Sequence, residues 1–397
     1  MENLNIYEEL LNLPTLKISN IEIDPKSITV FCEVKTDGHL CPNCHDKSTI
    51  VNQYYEREIR DLNMGSRYVY LRVKMRQFYC ISCNRYFSEI LDIADLNTGF
   101  THRQSDYMFI LARKQSYTEV AAIVDVCPKT IERIVLDTCA KTIDLSNRYR
   151  LVRRIGIDEQ SHKKGKKDYI CVLTDLDRGV IIDILPDRKK ETLVAHFKAL
   201  GQDFCNQITD ISCDYWDAYI SVAKTCFPQA NIILDRFHIT KLLNIPLDNF
   251  RKELRKADKE NLNYKKLKWV LYKQYHTLSD KQLDELDLAF NDCPTLKILY
   301  FSREKFHYIL DNAPTPQMAL TAMQNWSDNL KEQAITCFDP FIKTLENTKE
   351  YVANYVIAKL SNAVTEGLNN LIRSVRRTAF GMTNLEHLRL RVLAIST

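Results

Sequence analysis

The chain has 397 residues, of which 45% are hydrophobic and 27% are charged, and its formal net charge is +4. This length allows two or three domains with apolar cores, but the charge is too small to indicate a nucleic-acid partner by itself. No apolar run approaches the ~20 residues of a membrane helix, and the acidic start "MENLNIYEELLNLP" lacks the apolar stretch of a signal peptide.

Residues 1–95 carry strand patterns and two cysteine pairs. The segment "LKISNIEIDPKSITVFCEV", 16–34, alternates as two strands about an Asp-Pro turn. "CPNC" at 41–44 and "CISC" at 80–83 follow, with a further strand pair between them. The other nine of the thirteen cysteines are scattered among apolar neighbours, a pattern that fits a reducing cytoplasm.

The two CxxC pairs predict a structural zinc ribbon. Two such turns on neighbouring hairpins supply four thiolates to one tetrahedral Zn²⁺, and the ligands here would be Cys41, Cys44, Cys80 and Cys83. A small region without a large apolar core needs this kind of cross-link. Four buried thiols or a redox pair are the alternatives.

The strand pair between the cysteine turns is basic. We predict that its arginines form a surface that contacts the DNA backbone, and the alternative is a merely solvated face. The candidates are Arg57, Arg72 and Arg76.

Residues 96–150 read as helical and contain a helix-turn-helix candidate, "SYTEVAAIVDVCPKTIERIV", at 116–135. Small Ala121 allows the two helices to approach closely, and Pro128 suits the first turn of the second helix. That second helix would enter a major groove, although an ordinary helical hairpin gives the same pattern. Its candidate DNA contacts are Lys129, Thr130 and Arg133.

Residues 151–236 predict an α/β unit. Three short strands, "RIGIDE", "DYICVLTDL" and "GVIIDIL", are joined by tight turns. A helix at about 189–200, a strand "ITDISC", a second helix and a strand "NIILD" follow. Three antiparallel strands followed by alternating helix and strand are typical of a mixed sheet covered by helices.

Everything from 237 to 350 reads as helical, and residues 351–397 carry an unusual stripe. In "SNAVTEGLNNLIRSVRRTAFG", 361–381, five polar side chains share one helix face, and each of the other four lies within about 40° of the central acid. They are Asn362, Glu366, Asn370, Arg373 and Arg377. One carboxylate in line with amides and guanidinium groups indicates a site that handles phosphate, to which neighbouring Arg376 would contribute.

The carboxylate of this stripe is explained if it joins two aspartates from elsewhere in the chain. Asp158 ends the first strand of the α/β unit and Asp214 follows its fourth, at the carboxyl ends where α/β sheets place ligands. They would lie side by side if strands one and four are adjacent, with Glu366 on a helix over the sheet. Three such acids hold two Mg²⁺ ions, for which Mn²⁺ substitutes, roughly 3.5–4 Å apart for in-line attack on a phosphodiester. Other acids compete for these roles: Glu159, Asp175, Asp210, Asp217 and Asp235.

At this point the sequence resembles the ISL3-type transposases of bacterial insertion sequences, which belong to the DDE class. The resemblance covers most of the chain and rests on several blocks, the last of which is the most specific. They are "CPNC…CISCNRYF", the helix-turn-helix, "GIDEQSHKKGKKDY", "SCDYWDAY", "DRFHITKLL" and "SNAVTEGLNNLIRSVRRTAFGMTN".

The resemblance implies an RNase H-like catalytic domain with the triad Asp158, Asp214 and Glu366, interrupted by a helical insertion at 237–350. It also implies binding of the terminal inverted repeats and target DNA, a dimer or larger assembly, and a place on the bacterial nucleoid. "DRFH" is similar to a D-x-x-H pattern of several transposase groups, which would bring His238 near the scissile phosphate. The alternative is a residue that packs a helix start on the sheet.

Basic "HKKGKK", 162–167, would brace DNA through Lys163 and Lys164, or form a plain solvated turn. Trp216 and Trp326 are expected to serve packing rather than base stacking. The favoured function is a transposase that cuts and joins DNA. A transposase-derived regulator that only binds DNA, and a nuclease without strand transfer, are the alternatives.

Overall fold

The computed structural model describes residues 5–163, 168–257, 263–359, 363–379 and 382–396. The chain divides into two compact units, Met1–Ile143 with Val375–Gly381 and Asp144–Ser374 with Met382–Thr397. Among the helices of the described residues, none combines the length and the apolar character needed to cross a lipid bilayer.

The first unit begins with helix α1 (Asn5–Leu10) and is otherwise built on strands up to residue 88. The strands are β1 (Leu16–Ile23), β2 (Ser27–Val34), β3 (His39–Leu40), β4 (Lys47–Ser48), β5 (Val51–Met64), β6 (Arg67–Cys80) and β7 (Arg85–Ser88). One sheet has the order β1-β2-β6-β5 with β7 paired to β6, and β3 pairs with β4. β1 and β2 confirm the strand pair predicted about the Asp-Pro turn, and alternate residues such as Leu16, Ile18 and Val30 fill the core beneath.

Three helices complete this unit: α2 (His102–Ala112), α3 (Tyr117–Val124) and α4 (Pro128–Thr142). Ser116 and Glu119 form a capping box at the start of α3, in which each side chain accepts the other residue's backbone N–H. α3 ends at Asp125, whose φ of 52° is left-handed, and Pro128 occupies the first turn of α4. The helix, turn and helix predicted for 116–135 are therefore present.

The second unit contains a five-stranded sheet. Its strands are β8 (Arg154–Lys163), β9 (Asp168–Asp175), β10 (Val180–Leu185), β11 (Asp210–Cys213) and β12 (Asn231–Leu234). The order is β10-β9-β8-β11-β12; β8 pairs antiparallel with β9 and parallel with β11, and β11 pairs parallel with β12. The first and fourth strands of this unit are therefore adjacent, which is the condition for Asp158 and Asp214 to lie side by side.

Helices α5 (Leu145–Arg150), α6 (Lys190–Leu200), α7 (Gln202–Gln207) and α8 (Asp217–Cys226) precede or connect these strands. Position 156 of β8 requires glycine for a steric reason, because a Cβ there would lie 2.3 Å from Thr174 Oγ1 of β9. The close approach of the two strands therefore requires glycine two residues before Asp158.

The described residues after β12 are helical and contain no strand. The helices are α9 (Arg236–Ala257), α10 (Asn263–Lys266), α11 (Lys268–Leu271), α12 (Asp280–Asp292), α13 (Pro294–Asn312), α14 (Pro316–Glu332), α15 (Asp339–Ala353), α16 (Tyr355–Ala358), α17 (Ala363–Thr378) and α18 (Leu385–Ile395). One apolar core runs from the sheet into α9–α16, from Ile155 of β8 to buried Trp326 of α14 and Val356 of α16. The helices thus stabilise the sheet directly.

Candidate active site and metal centres

Three carboxylates lie at the same edge of the second sheet. Across β8, β11 and β12 the register aligns Ile157, Cys213 and Leu234. An acidic residue follows each of the three, namely Asp158, Asp214 and Asp235. The Asp235 N–H donates to Cys213 O at 3.0 Å, which continues the alignment by one residue. Because all three strands are parallel, their carboxyl ends present these acids side by side.

Asp158 is held at both carboxylate oxygens. Oδ1 accepts the Glu159 N–H at 2.7 Å, and Oδ2 accepts Nδ2 of Asn369, on α17, at 2.6 Å. The Asn369 main-chain oxygen in turn accepts Gln160 Nε2 at 3.1 Å. Oδ1 of the Asn369 amide is buried and has no hydrogen-bond partner within the described residues. α17 is thereby attached to the strand that carries Asp158.

Asp214 lies in a cluster with Asp235 and His238. The ligand atoms of the three side chains lie within 4.8 Å of one another, and His238 Nε2 is 3.3 Å from Asp214 Oδ1. The Asp214 side chain is 14% exposed and that of His238 33%. Burial, and after it the charges of Asp158 and Asp235, raise the pKa of Asp214 to about 8.

This edge of the sheet fits a divalent cation. Close carboxylates disfavour one another's charge, and a bound cation removes that penalty. Carboxylate oxygens are the ligands that Mg²⁺ prefers, and Asp158 and Asp214 supply them. The third predicted acid, Glu366, stands one helical turn before Asn369 in α17, and its side chain lies outside the described part of the structure.

The acids that the sequence offers as alternatives to the predicted triad have other contacts. Glu159 pairs with Arg188, whose guanidinium lies over the rings of Tyr169 and Trp216 at 4.3 and 4.7 Å from their centroids. Trp216 therefore packs against a cation, and Trp326 is buried with its Nε1 donating to Ser302 O at 2.8 Å. Both tryptophans are engaged in packing, as expected.

The remaining acids lie elsewhere in this unit. Asp175 is buried and paired with Arg178. Asp210 begins β11, at the opposite end from Asp214, and accepts Asn231 Nδ2 at 3.0 Å. Asp217 is exposed in the first turn of α8.

The four cysteines of the predicted ribbon converge in the first unit. Cys41 Sγ lies 3.9 Å from Cys83 Sγ, and Cys44 Sγ lies 3.5 Å from Cys80 Sγ. Four sulfurs placed about 2.3 Å from one ion form a tetrahedron with edges of about 3.8 Å, so the geometry fits Zn²⁺. Backbone N–H groups of Cys44 and Asn43 lower the pKa of Cys41 to about 7, which favours its thiolate. At Cys44, by contrast, the Asp46 N–H is outweighed by the Cys83 sulfur and by burial, which raise the pKa of that thiol.

The arginines between the cysteine turns are engaged within their own unit. Arg57 donates to the main-chain oxygens of Asp95 and, at 2.7 Å, Thr98. Arg72 pairs with Glu58 at 2.9 Å, and Arg76 pairs with Glu89, which is fully buried. The expected basic surface is therefore largely neutralised, because carboxylates and carbonyls distant in sequence meet these groups. DNA contact by Arg57, Arg72 and Arg76 stays a prediction.

Most of the other residues predicted to contact DNA are more exposed to solvent. Lys129 and Arg133 of α4 are exposed and Thr130 is partly exposed. On α17, Arg373 and Arg377 are exposed, Arg376 is half-buried, and Arg373 donates to Asn370 Oδ1 at 2.8 Å. The side chain of Lys163 and all of Lys164 lie outside the described residues, as does Asn362.

Sequence reasoning missed Asn369 and ranked Asp235 only among competitors. Asp235 follows a strand as Asp158 and Asp214 do, so the same strand-end rule could have selected it. Asn369 adjoins Asn370, and the helical stripe chosen from the sequence favoured Asn370, which is exposed.

Comparison with known proteins gives a consistent result over nearly the whole chain. The model of the ISL3 family described as "Transposase" matches residues 155–392. A second model, described as the zinc-finger of transposase IS204/IS1001/IS1096/IS1165, matches residues 37–83 and so includes all four clustered cysteines.

Two curated relatives are similar over most of their length. The transposase for insertion sequence element IS1001 of Bordetella parapertussis is 23% identical, covering 94% of this chain and 92% of the relative. The transposase for insertion sequence element IS1557 of Mycobacterium tuberculosis is 24% identical, covering 96% and 93%.

Proposed function

The chain belongs to the ISL3 family of insertion-sequence transposases, and we propose that it cuts and joins DNA through an RNase H-like catalytic domain with the triad Asp158, Asp214 and Glu366. One observation carries the proposal: Asp158 and Asp214 follow aligned residues of neighbouring parallel strands. The sheet order β10-β9-β8-β11-β12, antiparallel and then parallel, supports the RNase H-like assignment. Helices α9–α16 then represent an insertion between the second and third acids.

The three acids would hold the divalent ions that this chemistry needs. Two Mg²⁺ ions supply activation of the attacking hydroxyl and stabilisation of the leaving oxygen at a phosphodiester. The protein's own contribution is to fix the ligands. Asn369 and the Glu159 N–H restrain both oxygens of Asp158, and the strand end restrains Asp214.

Arg373 supports the assignment from the same helix. It is exposed one turn beyond Asn369, and its guanidinium donates to the amide oxygen of the neighbouring Asn370 at 2.8 Å. A guanidinium in this position suits the phosphate of a DNA strand brought to Asp158.

Recognition of the element's ends would use the first unit. α4 presents Lys129, Thr130 and Arg133 to a major groove, and the zinc ribbon gives that unit a rigid frame. Further backbone contacts are proposed for Arg72, Lys163, Lys164, Arg376 and Arg377. Transposition brings two ends together, so we expect two or more copies of the chain on DNA.

The experiment is a strand-cutting assay on a linear duplex that carries the element's own end, with Mg²⁺ or Mn²⁺. Wild type should release a cut 3′ end and then join it to a second duplex. Asp158→Asn and Glu366→Gln should abolish both products while retaining end binding. Equal cutting by Asp158→Asn would reject the assignment. End binding without cutting by wild type would favour a DNA-binding regulator, and cutting without joined products would favour a nuclease.

A further inference from the structure

The strand-end cluster contains more metal-binding atoms than the proposed triad uses. We propose that Asp214, Asp235 and His238 form a site that takes a divalent transition-metal ion, represented by Mn²⁺, in preference to Mg²⁺. The inference deepens the proposed function, on which it rests for the reaction that the ion would serve. Neither Asp235 nor His238 belongs to the triad.

The backbone fixes the two added ligands. Asp235 is anchored to β11 through its N–H, and its Oδ1 accepts the Phe237 N–H at 2.8 Å in the first turn of α9. His238 follows three residues later, so both side chains lie on one face of the helix start. This turn directs a carboxylate and an imidazole towards Asp214.

The distances suit a common ion. One potential ligand atom from each of the three side chains lies within 4.8 Å of the other two. Ligands about 2.0–2.2 Å from one ion lie roughly 3–4.3 Å apart, so small side-chain movements close the site. Partial exposure of Asp214 and His238 leaves a path from solvent.

The ligand chemistry sets the preference. Mg²⁺ is bound through oxygen atoms and keeps several waters, whereas an imidazole nitrogen binds first-row transition-metal ions, of which Mn²⁺ is the weakest binder and the most tolerant of carboxylate ligands. The imidazole therefore favours Mn²⁺ over Mg²⁺ at this position. The competing interpretation is that His238 forms only an ion pair with Asp214, which would attach α9 to the sheet.

Pulsed electron paramagnetic resonance of Mn²⁺ added to the full-length protein that carries one zinc per chain separates the two interpretations. Wild type should show ¹⁴N coupling from a coordinated imidazole, and His238→Gln should lose it. His276→Gln, which removes an exposed histidine of the same unit, should retain it. Asp235→Asn should weaken Mn²⁺ binding at least about tenfold, because even indirect partners of metal ligands contribute 10–100-fold.

Lack of ¹⁴N coupling in wild type, or its persistence in His238→Gln when circular dichroism shows a folded protein, would overturn the site. The same experiments distinguish a failure of this metal site from a failure of the proposed function. Nitrogen coupling in a wild-type protein that cuts no DNA would support this site and reject the transposase chemistry. Cutting without nitrogen coupling would reject this site alone.

Discussion

Asn369 donates a hydrogen bond from Nδ2 to Oδ2 of Asp158 at 2.6 Å, although 211 positions separate the two residues in the chain. The other Asp158 oxygen accepts a backbone N–H from Glu159. Both oxygens are therefore oriented by donors, and the helix that carries Glu366 is fixed to the strand that carries Asp158. We infer that Asn369 is a positioning residue.

Asn369→Ala should lower the single-turnover rate of DNA cutting by about 10–100-fold, the usual effect of removing an indirect partner of a metal ligand. Affinity for the element's end should change little, because the change lies in the second unit. Asn347→Ala is the matched control, since Asn347 is an exposed asparagine of α15 in the same unit, and it should cut at close to the wild-type rate. Equal loss in both variants would contradict a specific role for Asn369.

Zinc content should follow the cysteine cluster. Wild type should contain one zinc per chain by elemental analysis, and Cys41→Ser should lose it together with end binding, because structural zinc contributes directly to folding. Cys127→Ser replaces an exposed cysteine outside the cluster and should retain both. Full zinc occupancy in Cys41→Ser would show that the four sulfurs are not the ligands.

Arginines on α4 and α17, the two helices proposed to contact DNA, should have separable effects. Arg133→Ala should weaken binding to the element's end by about 1–3 kcal/mol if its guanidinium reads a base. Arg373→Ala should reduce cutting more than end binding, because we propose that it contacts phosphate near Asp158. Titrations at several salt concentrations, combined with cutting rates, measure both. Equal loss of binding and cutting in Arg373→Ala would contradict its proposed position.

Stability should depend on pH through His307 of α13. Its side chain is 3% exposed, and neither ring nitrogen has a hydrogen-bond partner within the described residues. Burial, followed by the charges of Arg303 and Arg236, lowers the pKa of His307 to about 3. The unfolded chain, with a pKa near 6.5, binds the proton first as the pH falls. His307 therefore lowers the free energy of unfolding progressively as the pH falls from about 6.5 towards 3. Above about pH 6.5 it has no such effect.

Urea unfolding at pH 7.5 and 5.5 tests this expectation. Well below pH 6.5 the free energy of unfolding of wild type should fall by about 1.4 kcal/mol per pH unit because of His307. His307→Gln should lack this contribution to the pH dependence. His276→Gln, an exposed change, should follow wild type. Identical pH dependence in wild type and His307→Gln would mean that His307 is protonated without cost in the folded state.

Much of this architecture could be predicted because local rules apply to it. Alternating patterns gave the strands, and the strand-end rule gave Asp158 and Asp214. The paired CxxC spacing gave the cysteine cluster. These features depend on neighbouring residues and on backbone geometry.

The remainder depends on contacts between distant segments. Arg57 and Arg76 read as surface groups, but Thr98 and Glu89 meet them only after the first sheet has folded. Whether Asn369 or Asn370 faces Asp158 depends on the rotation of α17, which the sequence pattern does not fix to within one residue. Such choices are set by packing rather than by local preference.

The most direct test compares two aspartates of one strand. Asp214 follows the carboxyl end of β11 and Asp210 begins its amino end, so Asp214→Asn and Asp210→Asn make the same chemical change at opposite edges of the sheet. The rate of Mg²⁺-dependent cutting at the element's end should fall below detection in Asp214→Asn and stay near wild type in Asp210→Asn. Cutting by Asp214→Asn at the wild-type rate would contradict the account.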